Sequence, residues 1–327
     1  MAPQELTFDV TDALATGETL AQTAWMFLPA EPAAAPAVLV CLAGGTYDKR
    51  YWHLEVPGHP GYSFAEHLAA RGYIVVAVDH LGVGGSSDPS GAVGLQVLAR
   101  GDAAVAAQIA DRLRAGTLAP GLMPLDLPLV GVGHSMGSCL TTMVQAQSHP
   151  YDAVVLLGYG VQVTNVYEDD NDDEALEARI AESERIFREV NAAAPEATSC
   201  VVPRGHLRQL FHAPDVPDAV VAADVAAESR VPIRAASEVT TPGFVAEYAK
   251  AIDVPVFLAL GSALDVSPDP HAEPGNYPAS RDVTVHLVEG SAHCHNFAGN
   301  RAGLWDRVGT WVPGVLVDSV ASAAAAR

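Results

Sequence analysis

Gly133-His134-Ser135-Met136-Gly137 is the stretch on which the reading of this chain turns. An apolar, β-prone run, Pro128-Leu129-Val130-Gly131-Val132, leads into it. A run with helical character, Ser138-Cys139-Leu140-Thr141-Thr142-Met143-Val144-Gln145, leads out. A Gly-x-Ser-x-Gly pentapeptide between strand and helix reads as a sharp turn that lifts a serine hydroxyl above a sheet edge. Glycines at 133 and 137 have no Cβ, so strand and helix can approach closely around that serine. The N–H of Met136, at the start of the new helix, points to where an oxyanion would form. Ser135 is therefore the candidate nucleophile, and Met136 a candidate oxyanion donor.

The same rhythm continues outward. Ala37–Leu42, Tyr73–Val78, Asp152–Gly158 and Val254–Leu260 are apolar runs of the kind expected for strands buried on both faces. Ser63–Arg71 reads as a helix, with Ser63 and Glu66 as a capping box and Gly72 as the stop. Leu95–Arg114 reads as another, its Leu95, Leu98, Val105, Ile109 and Leu113 following helical spacing. Two strands, Leu6–Val10 and Thr19–Leu28, precede these, with a turn at Gly17. A strand at Val283–Val288 and a helix over about Arg301–Trp311 close the pattern. Alternating strands and helices predict an α/β fold, a parallel sheet covered on both faces.

From about Tyr159 to Ala251 the rhythm breaks, and no buried strand is expected. The acidic run Asp169–Glu174 opens a helix whose Leu176, Ile180, Phe187 and Val190 share one stripe. That run lacks the glycine and terminal glutamate of a calcium loop and reads as a solvated helix N-terminus. The expected organisation is a core over residues 1–158 and 252–327, with a helical cap, or lid, over 159–251.

At 327 residues the chain can bury a large core. Its formal net charge of -21 repels nucleic acid and anionic membranes, and favours solubility. No run reaches the length of a membrane span. Residues 1–10 show no basic start followed by an apolar core. Cys41, Cys139, Cys200 and Cys294 are scattered without a Cys-x-x-Cys, which favours a reducing, cytoplasmic setting. No His/Cys cluster has metal spacing, and no cofactor is expected. The alanine-rich stretch 321–326 reads as a frayed helix or tail.

A serine hydroxyl is a poor nucleophile until a base takes its proton, and a third group must orient that base. In open α/β sheets such groups stand at the carboxyl ends of strands. Gly261-Ser262-Ala263-Leu264-Asp265 follows one late strand, and Glu289-Gly290-Ser291-Ala292-His293 follows the last. Ser135, Asp265 and His293 thus come in the order nucleophile, acid, base. Asp269 and Glu273 are alternatives for the acid and His295 for the base; His134 should face away from the nucleophile and serve packing. Tyr47, Arg50, Tyr51, Trp52 and His53 either line a pocket mouth or cover the core edge.

On these residues the chain resembles the α/β-hydrolase fold family over essentially its whole length. Asp79-His80-Leu81-Gly82-Val83-Gly84-Gly85-Ser86 is similar to that family's Asp-x-x-Gly-x-Gly-x-Ser segment. The resemblance implies a mostly parallel eight-stranded sheet with helices on both faces and a helical cap. It implies a nucleophile at Ser135, a base at His293 and an orienting carboxylate at Asp265. The family often has His-Gly-x after its third strand, where this chain has Ala43-Gly44-Gly45. By position the second oxyanion N–H falls to Gly45, with Thr46 as the alternative. The implied activity is a serine hydrolase acting on a small-molecule ester, lactone or thioester. An acyltransferase or cofactor-free haloperoxidase would use the same residues, and a binding protein on a hydrolase scaffold is the rival of another class.

Overall fold

The apolar runs become strands: β1 (Gln4–Asp9), β2 (Ala21–Phe27), β3 (Val38–Leu42), β4 (Ile74–Val78), β5 (Leu129–His134), β6 (Ala153–Leu157), β7 (Ser199–Val201), β8 (Arg230–Pro232), β9 (Val256–Gly261) and β10 (Val283–Val288). The computed structural model describes residues 2–162 and 175–325, with side-chain surroundings as far as Val317. The acidic run Asp169–Glu174 lies outside the described residues.

Eight strands form one sheet in the order β1-β2-β4-β3-β5-β6-β9-β10. Strands β4, β3, β5, β6, β9 and β10 are parallel neighbours, while β2 pairs antiparallel with both β1 and β4. The sheet divides the interior in two, and the strand period of two does the sorting. Val38, Val40 and Leu42 of β3 face the core that contains Leu98, Ile109 and Met143. Leu39 and Cys41 face the opposite core, with Phe64, Leu68 and Trp305. Both faces are thus dry, and this is why β3, β4, β5, β6 and β9 read as unbroken apolar runs.

The Leu95–Arg114 helix occupies its expected span. The Phe64–Ala70 helix begins as predicted, with the Ser63 hydroxyl accepting the Glu66 N–H at 2.9 Å. The last helix departs from expectation: it runs Arg301–Ala325, straight through Pro313. A proline has no N–H for the carbonyl four residues back, here that of Gly309. The Tyr73 hydroxyl donates to Gly309 O at 2.7 Å, so that carbonyl is satisfied and the helix continues.

Between β6 and β9 the chain leaves the sheet. Helices Leu176–Val190 and Ile233–Thr240 meet there, with the Ser183 hydroxyl 3.1 Å from that of Thr240. Contrary to expectation this stretch also holds strands: β7 and β8 form an antiparallel ribbon. At three residues each, they are too short for any periodicity to reveal. The Ile233–Thr240 helix is tied to the core through Glu238, whose carboxylate accepts the Leu95 N–H at 2.6 Å. Gly94 leaves the Leu95–Arg114 helix without a side-chain cap of its own, and Glu238 supplies an anion at that positive end.

Candidate active site

Ser135 stands between β5 and the Met136–Ser148 helix at φ 54° and ψ −120°. A non-glycine residue held there costs about 1–3 kcal/mol and persists only where its surroundings fix it. Ser135 N donates to Leu157 O of β6 at 2.8 Å, and Ser138 N donates back to Ser135 O at 2.9 Å, starting the helix. A Cβ on Gly133 would meet Gly137, and one on Gly137 would meet Leu42, which is why both positions lack one. Gly44 is as constrained: its Cβ would lie 2.9 Å from that of Ser135.

The loops after β9 and β10 meet, joined by a bridge between Leu264 and Ala292. Asp265 lies 2.8 Å from His293 Nδ1 through Oδ1, and 2.8 Å from His295 Nε2 through Oδ2. Gly261 N donates to Oδ2 at 2.6 Å and Val266 N to Oδ1 at 2.7 Å. Burial alone would push the Asp265 carboxyl up, but hydrogen bonds from the two histidines outweigh it and hold the group far below the usual carboxylate range. An ionised carboxylate only accepts, so both facing ring nitrogens carry protons. With Nδ1 turned to Asp265, His293 has Nε2 left for another partner. Asp269 instead accepts the His271 N–H of its own turn, and Glu273 accepts the Ser267 hydroxyl at 2.6 Å. His293 lines the same cavity as Ser135; among the described residues no hydrogen bond joins them. His295 is fully buried behind Asp265, and its Nδ1 has no partner among the described residues.

His134 faces away from the cavity, as expected, but does more than fill space. Its Nε2 donates to His293 O at 2.9 Å, and its ring stacks on Tyr51 with centroids 4.4 Å apart. Burial, then the neighbouring histidines, press its pKa well below the ordinary value, so it stays neutral. Gly158, at φ +60°, follows β6, and a Cβ there would come within 3.0 Å of His293 Nδ1. Sequence reasoning passed over Gly158, although a glycine closing a buried strand is the available signal.

The cavity measures about 320 Å³. Gly45, Thr46, Ser135, Met136 and His293 line it, together with apolar side chains that include Phe187, Val190, Leu207, Phe211 and Val239. Val190, 71% exposed, is among the residues that line this space. Leu176, expected on the same apolar stripe, is exposed at 42% and is not among the residues that line the cavity. Met136 N is the first amide of its helix, with no intrahelical acceptor. Gly45 and Thr46 both reach the cavity, and Thr46 is strained, at φ 69°. Tyr47, Tyr51 and Trp52 are buried in the core rather than lining a mouth.

A family model described as the alpha/beta hydrolase family matches residues 39–302, and the chain belongs to that family. Among solved structures, a soluble variant of the monoglyceride lipase from Saccharomyces cerevisiae, in complex with a substrate analog, superposes with a TM-score of 0.67 at 13% identity, over 95% of this chain and 94% of that one. A thermostable carboxyl esterase from Bacillus coagulans gives 0.65 at 17% identity, over 97% and 99%. A thermophilic esterase from Thermogutta terrifontis gives 0.62 at 15%, over 95% and 99%. At such identities the likeness is one of fold. No curated protein matches the sequence closely enough to count as a relative. Among the described residues no helix is long and apolar enough to cross a membrane.

Proposed function

We propose that this chain is a serine hydrolase that cleaves neutral, apolar carboxylic esters through an acyl-enzyme. The observation that carries the reading is the 2.8 Å pairing of His293 Nδ1 with Asp265, in a cavity that both His293 and Ser135 line. Family membership and the esterases and lipases among its structural neighbours support hydrolase activity. His293 Nε2 takes the Ser135 proton as Oγ attacks the ester carbonyl. The tetrahedral oxyanion is met by the N–H groups of Gly45 and Met136. Collapse expels the alcohol, which takes the proton back from His293. Water, deprotonated by the same nitrogen, then attacks the acyl-serine and releases the acid. Residues 159–251 act as the cap that selects the substrate.

The cavity walls carry the substrate class. Among the described residues, none that lines the cavity is Asp, Glu, Lys or Arg, so a charged acyl group set against these walls would lose its hydration without a counter-ion. Ser183, Asn191, His206 and Thr240 supply a few polar atoms for orientation. At about 320 Å³ the cavity sits at the small end of the range of small-molecule sites, roughly 300–1,000 Å³, which suits a compact acyl group. A panel of p-nitrophenyl esters, lactones and thioesters tests this. Rates should peak at medium-length neutral acyl groups, and hemisuccinate-type esters should be slower by at least about 100-fold, or roughly 2.7 kcal/mol. Equal rates for charged and neutral esters of one length would contradict the assignment.

Gly158 gives a prediction with little chemistry of its own. Gly158→Ala is expected to lower kcat by about 10- to 100-fold, because a methyl group displaces the base from its line to Ser135. Steady-state kinetics alongside a thermal melt checks it; unchanged kcat in a folded variant would mean the His293 ring is not held where the mechanism requires.

A further inference from the structure

Arg204 is an arginine with no access to solvent, in the proposed cap, just after β7. Its guanidinium lies 3.7 Å from the centre of the Tyr47 ring. Nη1 donates to Asp224 Oδ1 at 2.7 Å and to the Asp224 carbonyl. Nη2 donates to Ala227 O at 3.2 Å and to the carbonyl of Thr46. The Thr46 carbonyl also accepts Ser229 N at 2.9 Å. Asp224 Oδ2 accepts the Tyr47 hydroxyl at 3.2 Å, and His212 Nε2 stands 3.0 Å away without hydrogen-bond alignment. The Tyr47 hydroxyl is also 3.2 Å from Cys294 Sγ, next in the chain to His293.

This cluster is expensive to build, since an arginine and an aspartate must both leave water. Neither Arg204 nor Asp224 itself lines the cavity. What the cluster does hold is Thr46, a β-branched residue in the left-handed region, which is rarely adopted and needs outside support. Thr46 directly follows Gly45, whose N–H is the proposed second oxyanion donor. Two donors from the cap, Arg204 and Ser229, grip the Thr46 carbonyl and so fix the turn that aims that N–H.

We propose that Arg204 is a positioning residue for the oxyanion hole, acting from the cap through Thr46. The proposal rests on the serine-hydrolase reading above. The cap is then part of the catalytic apparatus as well as a filter. Backbone bonds point the same way: His293 N donates to Leu210 O and Cys294 N to Phe211 O, each at 3.0 Å, so the cap segment around Arg204 also grips the base loop.

The test compares wild type with Arg204→Lys, and with Arg204→Met combined with Asp224→Asn. The double variant removes both charges together, so no lone ion is left buried. Lysine keeps a charge for Asp224 but cannot reach Asp224 and Thr46 with one planar fork. Folding is followed by thermal melting, and active sites are counted by fluorophosphonate titration to completion. The substrates are one p-nitrophenyl ester and its thionoester, whose sulfur is a poorer hydrogen-bond acceptor and so draws less help from the oxyanion N–H groups. The double variant should lose about 10²- to 10³-fold in kcat per titrated site, the scale of a lost oxyanion donor. KM should stay within about threefold, and the ester-to-thionoester rate ratio should fall. The lysine variant should lie between it and wild type.

A folded variant with wild-type kcat and ratio overturns the proposal. So does a loss of kcat with the ratio unchanged, which would place the damage at the base. Failure of both variants to fold overturns it too, by making Arg204 a requirement of the fold. A wild type that neither hydrolyses esters nor takes up fluorophosphonate brings down the underlying reading instead, and is recognised before any variant is made.

Discussion

Ser135→Ala is expected to lower kcat by on the order of 10⁴–10⁶, because nucleophile, base and acid act as a unit. The loss should fall on kcat, with the melting temperature unchanged or raised. Ser135 is held at φ 54° for the sake of its hydroxyl, not to complete a core, and alanine fits the same turn. What remains should be the catalysis of the oxyanion N–H groups of Gly45 and Met136 alone. A fluorophosphonate probe should label the wild type at Ser135 and leave the alanine variant untouched. An alanine variant with near-normal turnover would point to a different nucleophile; a wild type that binds apolar esters without turning them over would favour a binding protein on this scaffold.

His293→Ala should match Ser135→Ala in severity, while His295→Ala should stay within about tenfold, or roughly 1.4 kcal/mol. The two histidines contact one carboxylate at equal distance, so proximity to Asp265 does not separate them. Access does. His293 lines the cavity with Ser135, whereas His295 is fully buried on the far side of the carboxylate. Removing His295 takes one donor from Asp265 and leaves a void, yet the His293 pairing and the Gly261 and Val266 amides still hold the carboxylate. Kinetics of the two variants on one ester checks the ranking, and a reversed ranking would move the base to His295.

The parts of the fold legible in the sequence were those set by local rules. A strand buried on both faces must be apolar throughout, so β3, β4, β5, β6 and β9 announced themselves. The turn at Ser135 was readable because its two glycines answer a steric demand a few residues away. Asp265 and His293 could be nominated because strand ends are where an open sheet presents side chains, and the structure pairs the two at 2.8 Å. The last helix runs past its expected end and through Pro313, and the group that satisfies Gly309 O there is Tyr73, more than 200 residues away in the chain. Ribbon β7–β8 was missed because three-residue strands have no period. Arg204 and Asp224 carried no signal at all: in sequence an arginine after a proline and an aspartate in a short helix look solvated, and only tertiary packing closes water out. Leu176 and Val190 kept helical spacing, but one faces solvent and the other a cavity, a distinction that periodicity cannot make.

The central claim is that Ser135 carries the acyl group, and intact-protein mass spectrometry of an acid-quenched reaction tests it most directly. Wild-type protein mixed for milliseconds with a medium-chain p-nitrophenyl ester should gain the mass of one acyl group, and peptide mapping should find it on Ser135. The adduct should accumulate further in His293→Ala reacted slowly with the same ester, since deacylation also needs the base. An acyl group on another residue, or turnover in which repeated early quenches trap no adduct on Ser135, would contradict the account.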